Sequence, residues 1–118
     1  MNLTTDNFLQ QINGIDHTLP VEECLQMAQQ FAMLRPKLDG CAGGNNVFPI
    51  SETFNLQAIR NILDQPNTVA FRAYIGVDKE NRARLIFVGV NEQGQDIIGS
   101  LGTVTDNPSV AECGQRTP

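Results

Sequence analysis

Apolar residues recur at helical spacing in three segments of the chain, and each segment predicts an amphipathic helix. The first follows Thr4 and Thr5, either of which can cap its start, and Gly14 can end it. The third begins after Asn55, another suitable cap, and the sequence DQPNT breaks it. The apolar positions are Phe8, Leu9, Ile12 and Ile15 in the first helix and Leu56, Ile59, Ile62 and Leu63 in the third.

The second predicted helix carries one apolar stripe of six residues. Thr18 is its expected N-cap, and Glu22 and Glu23 suit the positive end of the helix dipole in the first turn. Pro36 is expected to stop the helix near Arg35, because proline lacks the backbone N–H that a helix interior needs. The stripe consists of Val21, Cys24, Leu25, Ala28, Phe31 and Ala32. Its burial predicts a Cys24 thiol that resists alkylation in the native state.

Residues 37–49 hold three glycines, two asparagines and a proline, and they predict a glycine-rich loop. ISETF follows as a short strand. AFRAYIGVD and ARLIFVGVN are rich in branched and aromatic residues and predict an antiparallel hairpin, after which QDII begins a third strand.

The expected fold class is therefore α+β. Two N-terminal helices, a short strand and a third helix precede an antiparallel β-meander that helices cover on one face. We expect a single domain over residues 1–118, with an irregular or disordered tail at 104–118.

The four residues KENR between the two long strands set the predicted register. In that register Asp78 pairs with Ala83, and Tyr74 faces Phe87. Side chains alternate along a strand, so the hairpin has two faces. Helices are expected to cover the face that contains Phe71, Ala73, Ile75, Val77, Ile86, Val88 and Val90. The other face contains Arg72, Tyr74, Gly76, Leu85, Phe87 and Gly89.

This second face is the candidate binding surface. Its two glycines leave gaps beside a Tyr–Phe pair, which suits a small ligand, a peptide or a second copy of the chain. The alternative is that ISETF or the C-terminal tail folds over it. The candidate binding residues are Arg72, Tyr74, Leu85 and Phe87.

The hairpin contains a repeat, because IGVDKEN at 75–81 is echoed by VGVNEQG at 88–94. In an antiparallel pair the two segments end at opposite ends of the sheet, so they cannot share one calcium ion or phosphate. Each is instead predicted to be a strand end followed by a turn. Gly94 can supply the left-handed conformation that the second turn needs.

Charge and hydropathy exclude several classes of function. Thirteen acidic against eight basic residues give a net charge of −5, so nucleic acid is not an expected partner. No apolar run is long enough to cross a membrane, and the N-terminus lacks a signal-peptide pattern. The three cysteines are widely spaced, which is a poor disulfide framework. We expect a cytoplasmic protein with reduced thiols and no membrane association.

Candidate catalytic groups are few, and the balance favours a protein that is not an enzyme. Cys41 is the candidate nucleophile, because a glycine-rich loop can expose a thiol and offer N–H groups to an oxyanion. The alternative is a flexible loop with an incidental cysteine. His17 is the only histidine, and no Cys-x-x-Cys pair accompanies it, so we expect no metal. GCAGGNN lacks the Lys-Ser/Thr of a phosphate-binding loop, and no cofactor is expected.

The order of motifs resembles a family of small uncharacterised bacterial proteins. The resemblance covers residues 20–98 and rests on PVEECLQMAQQF, LQAIRNILDQPNTVAFRAYIGVD and LIFVGVNEQGQDI. Members of that family have an acidic-capped helix, a helix that ends near Leu-Asp-Gln-Pro, a Gly-Val-Asp hairpin and a Cys/Pro-rich tail. This chain departs from them in its tail, which keeps only Cys113. The resemblance implies a bacterial origin, but it offers no activity that can be carried over to this chain.

A second apolar face without a catalytic set favours a non-catalytic binding or interaction module. Its expected partner is another protein or a second copy of the chain, and a small ligand is possible. The alternatives are a small thiol-dependent enzyme that uses Cys41, or a toxin, inhibitor or immunity-type protein.

Chelation of metals should leave folding unchanged. The candidate ligands are poorly spaced, and 118 residues can bury a core without a metal. We expect the same melting temperature with and without a chelator. A drop in melting temperature, with zinc recovered at one ion per chain, would contradict this expectation.

Overall fold

The computed structural model describes residues 5–97 and 111–116. Its helices are α1 (Thr5–Asn13), α2 (Val21–Cys41) and α3 (Leu56–Leu63). Its strands are β1 (Glu52–Thr53), β2 (Ala70–Val77), β3 (Ala83–Val90), β4 (Asp96–Ile97), β5 (Ala111–Cys113) and β6 (Gln115–Arg116). Helices and antiparallel sheets together confirm the α+β class.

β3 is the central strand of the larger sheet and pairs with β2, β4 and β5, which confirms the predicted third strand of the meander. A second sheet pairs β1 with β6. The chain divides into two compact units. The first unit combines α1, α3, β4 and β5 with residues 70–74 and 86–90 of the hairpin. The second unit combines α2, β1 and β6 with the turn that joins β2 to β3. The single-domain organisation stays a prediction.

The start of α2 differs from the prediction. Pro20, with a φ of −57°, precedes the helix, and no side chain caps it. Thr18 instead donates its backbone N–H to Asp16 Oδ1 at 2.9 Å, so its prediction as the N-cap is wrong. Glu22 and Glu23 do occupy the first turn, where carboxylates suit the positive end of the dipole.

The end of α2 also differs, because the helix continues through Pro36 for five residues. The loop predicted at 37–49 is therefore wrong over 37–41. Buried Asp39 explains the extension. Its carboxylate accepts the backbone N–H groups of Asn46 at 3.1 Å and Phe48 at 2.9 Å, which fastens the following segment to this last turn. Two charge-assisted bonds offset the single helical bond that proline removes.

The apolar stripe of α2 is largely exposed, contrary to the prediction. Cys24 is exposed, as are Val21 and Leu25. The contacts that α2 makes with residues 46–48 come from its C-terminal half, where the ring of Phe31 meets that of Phe48 edge-on at 6.4 Å. The N-terminal half of the stripe therefore stays open, and Cys24 is accessible to alkylating reagents.

The core of the first unit forms between its helices and β3. Phe8 and Ile62 are buried, as are Val88 and Val90. Asn55 caps α3 as predicted, because its side-chain oxygen accepts the N–H three residues further on at 2.7 Å.

The C-terminal segment contains two short strands, where an irregular tail was predicted. In the first unit, β5 pairs with β3 and places Glu112 opposite Phe87. In the second unit, β6 pairs with β1 and places Arg116 opposite Glu52. The remainder of the predicted tail, 104–110 and 117–118, lies outside the described residues.

The turn after β2 is built around one side-chain oxygen. Asp78 Oδ1 accepts the backbone N–H groups of Glu80 at 2.9 Å and Arg82 at 3.0 Å. The backbone N–H of Asp78 donates to Arg82 O, and the Asp78 carbonyl accepts the N–H of Asn81. Asn81 adopts a left-handed φ of 63°. The result is a three-residue hairpin loop that ends in a left-handed residue.

The turn after β3 repeats this geometry. Asn91 Oδ1 accepts the N–H groups of Gln93 and Gln95, both at 3.0 Å. Gly94 takes the left-handed position at φ 79°, as predicted. The position is also crowded, because a Cβ would lie 3.0 Å from the ring of Phe8 and that ring would have to move by a few tenths of an ångström. The two echoed segments therefore form turns of the same type, with the same side-chain bonds and a left-handed residue at the same position.

The Asp78 turn is one residue shorter than the predicted loop. Asp78 bonds to Arg82 rather than pairing with Ala83. In the first unit, the ring of Phe71 lies 5.3 Å from that of Phe87, whereas the prediction placed them on opposite faces. A shift of one residue in register moves a strand's side chains to the other face relative to its neighbour. The predicted register and its two faces are therefore wrong.

Burial follows the observed register. Val88 and Val90 are 2% and 1% exposed, but Phe71 and Ile75, which the prediction placed beside them, are 54% and 75% exposed. Val77 is also exposed. The helices therefore do not cover the apolar residues of β2 that were expected beneath them.

The carboxyl group of Asp78 is held in its ionised form by the turn. Its pKa is lowered from 3.8 to about 2, chiefly by the hydrogen bond from the Arg82 N–H; the Glu80 N–H, the Arg84 guanidinium and the charge of Arg82 act in the same direction, while desolvation opposes them. Because the pKa of this carboxyl is lower in the folded than in the unfolded state, its ionised form stabilises the folded state at pH values above the unfolded-state pKa. That contribution is lost as the pH falls from about 4 through about 2.

Asp78→Asn should keep the turn and remove this acid sensitivity. Asn91 accepts the same pair of N–H bonds through an amide oxygen, so the turn tolerates asparagine. We expect the urea midpoint of the wild type to fall more steeply than that of the variant between about pH 4 and pH 2.

Asn91→Asp is the reciprocal control, and it should add acid sensitivity to the second turn. Identical acid profiles for the wild type and Asp78→Asn would show that the Asp78 carboxylate does not contribute.

Candidate functional site

Arg72 and Tyr74, two of the predicted binding residues, meet at Asp96. Arg72 Nη1 donates to Asp96 Oδ1 at 2.6 Å, and the Tyr74 hydroxyl donates to Asp96 Oδ2. Arg72 Nη2 also donates to Gly94 O at 3.3 Å. The carboxylate therefore ties β2 to β4, and Arg72 also ties β2 to the turn before β4. The sequence pattern does not single out Asp96, because only the strand register brings its two partners to it.

Phe87 lies in an aromatic cluster with Phe54 and Phe71. The Phe54 and Phe87 rings stack at a centroid distance of 4.5 Å and an interplanar angle of 6°. Phe71 tilts against Phe87 at 5.3 Å and 53°. Because Phe54 belongs to ISETF, the alternative that ISETF folds over Phe87 is confirmed at this ring. Phe71 is the exposed member of the cluster.

The four predicted binding residues do not form one surface. Side-chain alternation places Arg72 and Tyr74 on the face opposite Phe71, whereas Phe87 shares the face of Phe71. Leu85 belongs to the second unit, where its backbone N–H donates to a Glu52 carboxylate. The one-residue difference in register accounts for the separation of Arg72 and Tyr74 from Phe87, whereas Leu85 lies on the same strand as Phe87 and its position does not depend on that register.

The gap expected at Gly89 is filled. A Cβ on Gly89 would lie 3.0 Å from Gln65 Nε2 and 3.3 Å from Thr68 Oγ1. Glycine at this position therefore allows the segment after α3 to approach β3 closely, and it leaves no ligand pocket there.

A buried ionic cluster in the second unit has a structural role. The Glu52 side chain is fully buried, and its two oxygens accept the Leu85 N–H at 2.6 Å and Arg84 Nε at 3.2 Å. Arg84 also contacts Asp78 at 3.2 Å and donates to Gly114 O at 2.5 Å. A paired and hydrogen-bonded carboxylate is suited to holding strands together and is a poor general base.

Cys41 lies at the end of α2, not in the loop that the sequence predicted. The backbone N–H groups that follow it are hydrogen-bonded to carbonyls of the last helical turn. These bonds join Ala42 to Leu38, Gly43 to Gly40 and Gly44 to Asp39. The Cys41 thiol is exposed, as expected, but N–H groups engaged in this way are not free to stabilise an oxyanion, so only this part of the expectation is wrong.

Three further observations bear on function. Among residues 5–97 and 111–116, no group of three or more His, Cys, Asp or Glu side chains is placed to hold a metal ion. Within the same part of the chain, no helix is both long enough and apolar enough to span a membrane. His17 is exposed between α1 and α2.

Comparison with known proteins gives no match to a family model, a curated protein or a solved structure. The resemblance to a bacterial family therefore stays a prediction. The candidate site rests on geometry alone.

Phe87→Arg should destabilise the first unit, because Phe87 stacks on Phe54 and contacts Phe71. We expect the free energy of unfolding to fall by about 2–4 kcal/mol, as for other large losses of aromatic packing. Phe71→Arg is the matched control, and it should cost about 1 kcal/mol or less because the ring is half exposed. Chemical denaturation of both variants measures the difference. Equal losses would show that the two rings are equally buried.

Proposed function

We propose that the protein is a non-catalytic binding module of the bacterial cytoplasm that recognises a protein partner through Phe71. One observation carries the proposal. Phe71 is 54% exposed, yet its ring packs against Phe87, which stacks on Phe54. An exposed aromatic ring supported by partly buried rings is the type of residue that concentrates binding energy in protein interfaces.

The opposite face of β2 supports this role by fixing the strand. Arg72 and Tyr74, which follow Phe71 along β2, both bond to Asp96, so this part of the strand is anchored to β4. A binding residue held by a rigid strand loses little conformational entropy when a partner binds. The expected partner presents an apolar side chain to the ring of Phe71.

Two observations favour binding over the thiol-dependent enzyme. The N–H groups beside Cys41 are engaged with helix carbonyls, and the buried carboxylate of Glu52 is paired with Arg84. Neither group is arranged to activate a nucleophile or to stabilise an oxyanion.

Selection from a displayed peptide library tests the proposal. The selection uses wild-type protein, and each enriched peptide is then titrated against the wild type, Phe71→Arg and Ile75→Arg. Ile75 is the matched control, because it lies two alternations further along β2 and is 75% exposed. We expect the Phe71→Arg variant to bind at least about tenfold more weakly, whereas Ile75→Arg binds as the wild type does.

Peptides that bind Phe71→Arg as tightly as the wild type would contradict the proposal. So would a selection that enriches no peptide at all, provided that circular dichroism shows the wild type to be folded.

A further inference from the structure

α2 also carries a second line of apolar residues, the heptad stripe, which has the spacing of a coiled coil and shares Cys24 and Phe31 with the stripe described above. Apolar side chains alternate at intervals of three and four residues along its 21 residues, a length of about 32 Å. The stripe consists of Cys24, Met27, Phe31, Leu34, Leu38 and Cys41. In heptad terms, Cys24, Phe31 and Leu38 occupy a positions, and Met27, Leu34 and Cys41 occupy d positions. Pro36 falls at an f position, on the side of the helix away from the stripe.

Most of this stripe is open. Met27, Leu34 and Leu38 are exposed, as are both cysteines. Phe31 is half-buried because its ring meets Phe48. One flank of α2 is thus fastened to the segment after it, while the remaining apolar positions have no cover among the described residues. Apolar stripes of this length mark interaction surfaces.

We propose that a second copy of this chain covers the stripe, with the two α2 helices antiparallel. The charged residues beside the stripe favour a second copy of the chain as the partner and an antiparallel orientation of the two helices. The g positions beside the stripe are Glu23, Gln30 and Lys37. Antiparallel pairing places g positions opposite each other, so Glu23 meets Lys37 of the second copy, and Gln30 meets its own counterpart at the two-fold axis. Parallel pairing would place Glu23 beside Ala28 and lose this attraction.

The exposed area predicts a weak, reversible pair. A fully exposed apolar side chain of this size offers roughly 60–120 Å², and those of the stripe and its flanks are about half exposed. The pair therefore buries roughly 600–800 Å² in total, which lies below the range of stable complexes. Association should appear at micromolar to millimolar concentrations. It goes beyond the proposed function, because α2 contributes no residue to the aromatic cluster.

Sedimentation equilibrium of the full chain tests the interface. Leu34→Arg places a charge in the stripe and should raise the dimer dissociation constant at least about tenfold. Met33→Arg is the matched control, because Met33 is adjacent and 81% exposed but lies off the stripe. It should change the constant less than about twofold. A chain that stays monomeric at millimolar concentration, or a dimer that responds equally to both variants, would overturn the proposal.

Charge reversal tests the direction. Glu23→Lys and Lys37→Glu should each weaken the dimer about two- to fivefold, the scale of an exposed ion pair. The double variant should restore the wild-type constant. The two residues lie about 21 Å apart on one helix, so their rescue must arise between copies. Failure of the rescue would overturn the antiparallel arrangement. Phe71→Arg should dimerise as the wild type does, which separates this proposal from the proposed function.

Discussion

A single side-chain oxygen determines which faces of the hairpin are apolar. Asp78 Oδ1 accepts two backbone N–H groups and closes a three-residue loop, so Asp78 bonds to Arg82 and not to Ala83. Because strand side chains alternate with a period of two, this one-residue difference decides which rings can meet. The contact between Phe71 and Phe87 and the bond from Arg72 to Asp96 are both consistent with this register.

The sequence contained the signal for this turn. Gly94 was identified as a left-handed residue, and Asn81 occupies the corresponding place in the echoed segment. Asparagine tolerates the left-handed conformation, and an aspartate or asparagine three residues earlier can bond to the backbone two residues on. Matching the two segments position by position predicts the shorter loop. Reading KENR as a four-residue loop does not.

Local signals predicted the helices and the N-cap of α3 better than the long-range contacts, although the predicted N-cap of α2 was wrong. Asn55 needs only the first turn of α3 to act as a cap, so its role could be read from the sequence. The extension of α2 past Pro36 depends on Asp39, whose partners lie seven and nine residues further on. Helical periodicity showed that a face of α2 is apolar, but not what covers it. The prediction placed this face in the core, but Cys24 on it is exposed.

The register of the hairpin is the central claim, and nuclear Overhauser contacts among aromatic side chains test it most directly. The observed pairing predicts contacts between the ring protons of Phe71 and Phe87, whose centroids are 5.3 Å apart, together with slow exchange of the Asp78 amide proton. Contacts that join the ring of Tyr74 to that of Phe87, with no contact between Phe71 and Phe87, would contradict this register and the binding surface derived from it.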